Sequence, residues 1–141
     1  MKPRRVDSLI VEPPTFDWRH PRYEPIFEQR LAALERIRAH PEQLPALKEY
    51  YRANPIDFIN DWGMTYDPRN AEVDLPTMIP FILYPKQREW IEWVLELWRS
   101  TRKGLTEKSR DMGISWCAIG LSCTLGIFLE GISIGFASLK A

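Results

Sequence analysis

A chain of 141 residues has room for one core and not for two full domains. Its 19 lysines and arginines balance 19 aspartates and glutamates, which excludes binding of nucleic acid by bulk charge but leaves room for one local gripping surface. Apolar residues at 45% and charged residues at 27% are ordinary for a soluble globular protein.

The first 22 residues carry Pro3, Pro13, Pro14 and Pro21 among charges and read as an extended arm. The basic start, with Lys2, Arg4 and Arg5, has no apolar run behind it and is no secretory signal. Residues 23–39 then read as an amphipathic helix, with Pro25 in its first turn and Ile26, Phe27, Leu31, Leu34 and Ile37 at helical spacing. His40 and Pro41 end it, and residues 44–52 give a second helix. Asn54 is placed to cap a third, over Ile56, Phe58, Ile59 and Trp62, which Gly63 stops. Residues 65–80 carry Pro68, Pro76 and Pro80 and read as a long irregular connection. A division follows, with an arm and helical subdomain over 1–75 and a second unit over 76–141.

Beyond Pro80 comes a short apolar run to Tyr84, and residues 86–99 form a strong helix. Trp90, Trp93, Val94 and Leu97 make its expected inner face, flanked by Ile91 and Trp98. Lys103 and Gly104 make a turn, and 105–109 reads as a strand. A loop through Gly113 opens a long apolar helix that stops at Gly131. Residues 132–138 are the β-branched run of a buried parallel strand. Strand, loop, helix and strand in that order make a βαβ unit.

From Met112 to Leu129 no residue is charged, which reaches the lower limit of about 17 residues for a membrane-spanning helix. Three glycines dilute the run, Asp111 and Glu130 bracket it tightly, and no aromatic belt frames it. The expectation is a core helix and no membrane. Cys117 and Cys123 lie on it with no histidine cluster nearby and read as small buried hydrophobes.

The segment Lys108-Ser109-Arg110-Asp111-Met112-Gly113-Ile114-Ser115 is where chemistry is expected. A phosphate-cradling loop needs backbone N–H groups at a helix start, a cation, and a hydroxyl for magnesium. Against the pattern G-x-x-x-x-G-K-[ST], Gly113 and Ser115 match, while Lys108 stands at the first glycine and Ile114 at the lysine. A cation need not follow the last glycine, and Lys108 is able to fold its stem over the loop, with Arg110 as a second charge. The bland alternative is a plain helix start in which both cations solvate an exposed turn.

EKSRDMGISW resembles the variant Walker A loop of phage terminase large subunits, in which the lysine sits at the loop's start. PFILYPKQREWI resembles the adenine-recognition segment of that family. NPIDFINDWGMTYDPR resembles the segment before it, and GISIGFASLK the strand after the loop's helix. No single motif is strict; the resemblance lies in four features in order, over residues 54–140.

What it implies is specific. The fold is α/β, an incomplete parallel P-loop sheet preceded by a helical region. Gln87 reads the adenine edge with an amide that both donates and accepts. The nucleotide site comprises Gln87, Lys108, Ser109, Arg110, Asp111, Met112, Gly113, Ile114 and Ser115. Lys108 contacts phosphates, Arg110 senses nucleotide or stabilises transferring charge, and Ser115 binds Mg²⁺ beside ATP. Ser138 and Lys140 sit where a strand enters a loop that touches DNA or couples to hydrolysis, or are simply a chain end. The parent protein packages double-stranded DNA as a ring of copies, with portal and small terminase subunit, in the cytoplasm of an infected or lysogenic bacterium. An acidic magnesium motif, a coupling motif and a nuclease domain are expected beyond Ala141, so the chain alone is expected not to turn over ATP. A helicase-type motor and a non-catalytic module docking on a packaging component stay open as alternatives.

Overall fold

The computed structural model describes Leu9 and residues 14–137. Five α-helices are found there: α1 (Glu24–Ala39), α2 (Leu44–Ala53), α3 (Pro55–Trp62), α4 (Pro85–Arg99) and α5 (Ile114–Phe128). Each of the first four has a proline at its first or second position, where the missing N–H costs nothing and the fixed φ suits the helix. Asn54 does not cap α3 with its side chain; its amide instead donates to the Tyr50 carbonyl at the end of α2, 2.9 Å away.

The only described strands lie in the stretch that reads as an irregular connection. β1 (Met64–Tyr66) and β2 (Met78–Pro80) pair antiparallel, with Met64 opposite Pro80 and Tyr66 opposite Met78. The reversal between them is tight. Asp67 accepts from the Arg69 backbone N–H, a 3-10 helix runs Pro68–Val73, and Asp74 turns left-handed at φ 56°. The Asn70 amide then closes onto the Pro76 carbonyl at 2.9 Å.

This architecture corrects the expected α/β fold. The described residues form a mostly helical protein with one two-stranded antiparallel sheet, and no parallel sheet is present among them. Residues 105–109 and 132–137 run without secondary structure and join no ladder. The physical reason is burial. A parallel strand is covered on both faces, whereas Leu105 is 94% exposed and Phe136 is 67% exposed. With no apolar face covered, nothing offsets the entropy of ordering a distant pairing, while the short β1–β2 closure is cheap.

The main core packs Ile56 and Ile59 of α3, Phe81 and Leu83 of the segment before α4, Ile91 and Leu95 of α4, and Cys117 and Leu121 of α5. It thus joins residues on both sides of position 75. On α4 the inner face is set by Ile91 and Leu95, at 0% and 5% exposure, while Trp93 and Trp98 face outward. Of the face expected from spacing, Trp90 and Val94 do pack against this core, but at its margin, and the aliphatic Ile91 and Leu95 fill its centre. Gly104 lies where a Cβ would collide with Leu97 Cδ1 and the Trp93 ring, so the chain after α4 runs against that helix.

A second cluster gathers Leu9, Leu47, Tyr50 and Tyr51, with Phe58, Trp62 and Phe128 packed on it. Rings meet edge to face, Tyr51 on Phe58 at 5.2 Å and Phe58 on Phe128 at 4.9 Å. The Tyr51 hydroxyl accepts from Trp62 Nε1 at 2.8 Å and donates to Asp61 at 3.0 Å. Buried Arg30 of α1 donates to the Asn60 carbonyl and Met64 Sδ, and loss of water pulls its guanidinium down to about 10.

No helix among the described residues is long and apolar enough to cross a membrane. The apolar helix α5 is a core helix on one face only. Cys117 is buried, while Trp116, Ile119 and Ile127 are exposed. Cys123 is exposed too, which corrects its reading as a buried hydrophobe. Ser138 and Lys140 lie outside the described residues.

Candidate functional site

A cleft of about 830 Å³ opens where α4 and α5 begin, and elements far apart in sequence line it. The arm contributes Phe16 and Trp18, the start of α1 Tyr23, the β1 end Tyr66 to Arg69, and the start of α4 Tyr84, Lys86 and Gln87. Lys108, Asp111, Met112 and the first residues of α5 complete it.

The α5 start is built for an acceptor. Gly113 precedes the helix at φ 69°, in the left-handed region, and no side chain caps the end. The Gly113 carbonyl accepts from Cys117 N, leaving the N–H groups of Ile114, Ser115 and Trp116 without a helical carbonyl. With the partial positive charge of the helix end, these groups favour an anion. Gly113 is also sterically fixed. A Cβ there would stand 2.7 Å from Gln87 Nε2.

Gln87 is buried and holds this junction together. Its Oε1 accepts from Tyr84 N at 3.0 Å and its Nε2 donates to the Met112 carbonyl at 3.0 Å. The amide therefore ties the start of α4 to the loop before α5. One amide hydrogen and one oxygen lone pair remain for anything else. The role expected for it at an adenine edge would have to be played from this clamped position.

The cations of the cleft differ in their commitments. Lys86 pairs with Glu89 at 2.7 Å, and Arg69 pairs with Asp67 at 2.9 Å, holding the Asp67 carboxyl below its ordinary range. Lys108 makes no ion pair among the described residues and lines the cleft. Asp111 also lines it and, like Gly113, has a positive φ, here 61°. Its carboxylate repels phosphate and attracts a cation. Ser115, exposed on the first turn of α5, presents a hydroxyl to the same space.

Of the residues singled out in sequence, Gln87, Lys108, Asp111, Met112, Gly113, Ile114 and Ser115 converge on the cleft. Ser109 and Arg110 sit on the same exposed loop but outside its lining. Sequence reasoning missed the aromatic wall. Phe16, Trp18 and Tyr23 follow no helical or strand period, and only their density in and just after a proline-rich arm signals them. Tyr23 is buried, and loss of water pushes its phenol up.

No family model matches the chain, and neither a curated protein nor a solved structure matches it.

Proposed function

We propose that this cleft binds the triphosphate of ATP with Mg²⁺, and that the chain carries the nucleotide-binding part of a viral DNA-packaging motor of the terminase large-subunit kind. One observation carries the reading. Gln87, Lys108, Gly113 and Ser115, singled out by their order in the sequence, line a single cleft at an uncapped helix start. Phosphate oxygens fit the first N–H groups of α5 and Lys108, which has no ion pair among the described residues, and Mg²⁺ fits the Ser115 hydroxyl in a cleft that Asp111 also lines. The metal would neutralise phosphate charge; the chain's own residues position the phosphates. Double-stranded DNA, a portal, a small terminase subunit and a ring of copies in the bacterial cytoplasm are the partners and setting of that motor.

Calorimetric titration of the chain with ATP in Mg²⁺ tests the reading. Lys108→Ala is expected to weaken binding about tenfold or more, as loss of one charge-assisted contact does. An unchanged affinity in the variant, or no binding by the unaltered chain, overturns it.

A further inference from the structure

Arg30 is the only buried cation among the described residues, at 8% exposure, and its guanidinium is incompletely satisfied. Nη2 donates to the Asn60 carbonyl at 3.0 Å and Nη1 donates to Met64 Sδ at 3.2 Å. Nε is buried with no acceptor among the described residues. A thioether accepts weakly, so one of the two contacts that answer this charge falls well short of a carbonyl or a carboxylate. The field of Asp61 steadies the guanidinium, but loss of water outweighs it. Met64, the first residue of β1, keeps 37% of its surface exposed, so a small oxidant in water reaches it.

We propose that Met64 is a reversible oxidation site that Arg30 reads: peroxide converts the thioether to the sulfoxide, whose oxygen takes over the Nη1 hydrogen bond and tightens α1 onto β1. The inference goes beyond the nucleotide reading and does not depend on it. A sulfur lone pair attacks one oxygen of hydrogen peroxide. The S–O bond forms, the O–O bond breaks, and the departing hydroxide takes the proton from the sulfur-bound oxygen and leaves as water. Sulfur gives up two electrons and the peroxide accepts them. A dithiol reductant of the methionine sulfoxide reductase type reverses the change, with the oxygen leaving as water and the dithiol closing to a disulfide. The S–O bond is strongly polar, and its negative oxygen meets a guanidinium that lacks a good acceptor. A charge-assisted hydrogen bond is about twice as strong as a neutral one. Methionine oxidation ordinarily loosens a fold by putting a polar group into apolar packing. Here the sign is reversed. Met78 and Met112 supply the contrast, being 53% and 43% exposed with no hydrogen bond to either sulfur among the described residues.

The test treats the folded full chain with dilute hydrogen peroxide. Trypsin releases Met64, Met78 and Met112 in separate peptides, 53–69, 70–86 and 111–140, so mass spectrometry follows each one. Thermal melting is then read on a chain carrying Met78→Leu, Met112→Leu and Cys123→Ser, which leaves Met64 as the one exposed sulfur among the described residues. Oxidation of Met64 is expected to raise the melting temperature by about 3 °C, and methionine sulfoxide reductase with dithiothreitol is expected to return it. Two single variants of the unaltered chain need no peroxide. Met64→Gln places an amide oxygen where the sulfoxide oxygen would stand, and it is expected to melt above Met64→Leu, which offers Arg30 no acceptor. A melting temperature that falls or stays put when Met64 is oxidised overturns the proposal. So does a Met64 that stays reduced while Met78 and Met112 are consumed, and so does Met64→Leu melting at or above Met64→Gln.

Discussion

The two ends of helix α5 are solved in opposite ways. At its last turn Phe128 packs among Tyr51 and Phe58, and the Tyr51 hydroxyl is bonded on both sides. At its first turn, Gly113 turns the chain left-handed, no side chain caps the helix, and Ile114, Ser115 and Trp116 line a cleft. One helix is thus anchored at its C-terminal end and presented at its N-terminal end. A helix start without a side-chain cap, on a cleft that Lys108 also lines, costs stability that a serine or aspartate cap would recover.

The contrast is broken hardest at the closed end. Tyr51→Phe keeps the ring and removes the hydroxyl, leaving Trp62 Nε1 and the Asp61 carboxylate each short of a partner in a buried setting. The expected loss is about 2 kcal/mol of unfolding free energy, since Trp62 Nε1 loses its acceptor and Asp61 loses one of its donors in a low-water setting. Urea denaturation measures it, and ATP affinity is expected to stay within twofold. A loss below about 0.5 kcal/mol would mean that this end is not the anchor.

At the open end the corresponding change is Gln87→Leu, which strands Tyr84 N and the Met112 carbonyl. Both lie near water at the rim of the cleft, so the expected cost is smaller, about 1 kcal/mol. Its larger effect is on binding. With the loop untied from α4, ATP affinity in calorimetry is expected to fall tenfold or more. A variant that loses stability but binds normally would show that the clamp does not position the loop.

These two ends also mark what could be read without the structure. The helices were legible because their signals are local. Prolines at the starts and apolar spacing along α1, α2, α3 and α4 place their boundaries within about two residues, the usual margin of helix assignment. The convergence of Gln87 with Gly113 was legible only as order along the chain. The inner face of α4 was legible in part: Trp90 and Val94 pack on the core, while Trp93 turns outward, because tryptophan has both the apolar area to fill a core and the size to cover its rim. The strands were misplaced for a different reason. Residues 132–137 have the β-branched composition of a strand, yet composition supplies no partner, while the β1–β2 ladder depends on the turn chemistry of Asp67, Asn70 and Asp74. The aromatic wall has no period at all and emerges only when the arm is seen against Tyr84.

The helix between the two ends carries two cysteines that sharpen the comparison across its faces. Cys117 is fully buried, and burial pushes its thiol up to about 11 from an ordinary 9.0, whereas Cys123 is exposed. In the folded chain an aromatic disulfide reagent at pH 8 is expected to titrate one thiol quickly, with the second appearing only in denaturant. A substitution at Cys123 should abolish the fast thiol and leave the slow one. The raised value also has a consequence for stability. A thiol that stays protonated longer when folded contributes stability that is whole below about pH 9 and is lost as the pH climbs toward 11. In that window the unfolded chain releases the proton first, so unfolding is drawn forward. The urea midpoint is therefore expected to fall between pH 9 and pH 11, and Cys117→Ala is expected to flatten part of that fall. Two thiols reacting at one rate in the folded chain would place Cys117 in solvent, and the one-sided burial of α5 would be wrong.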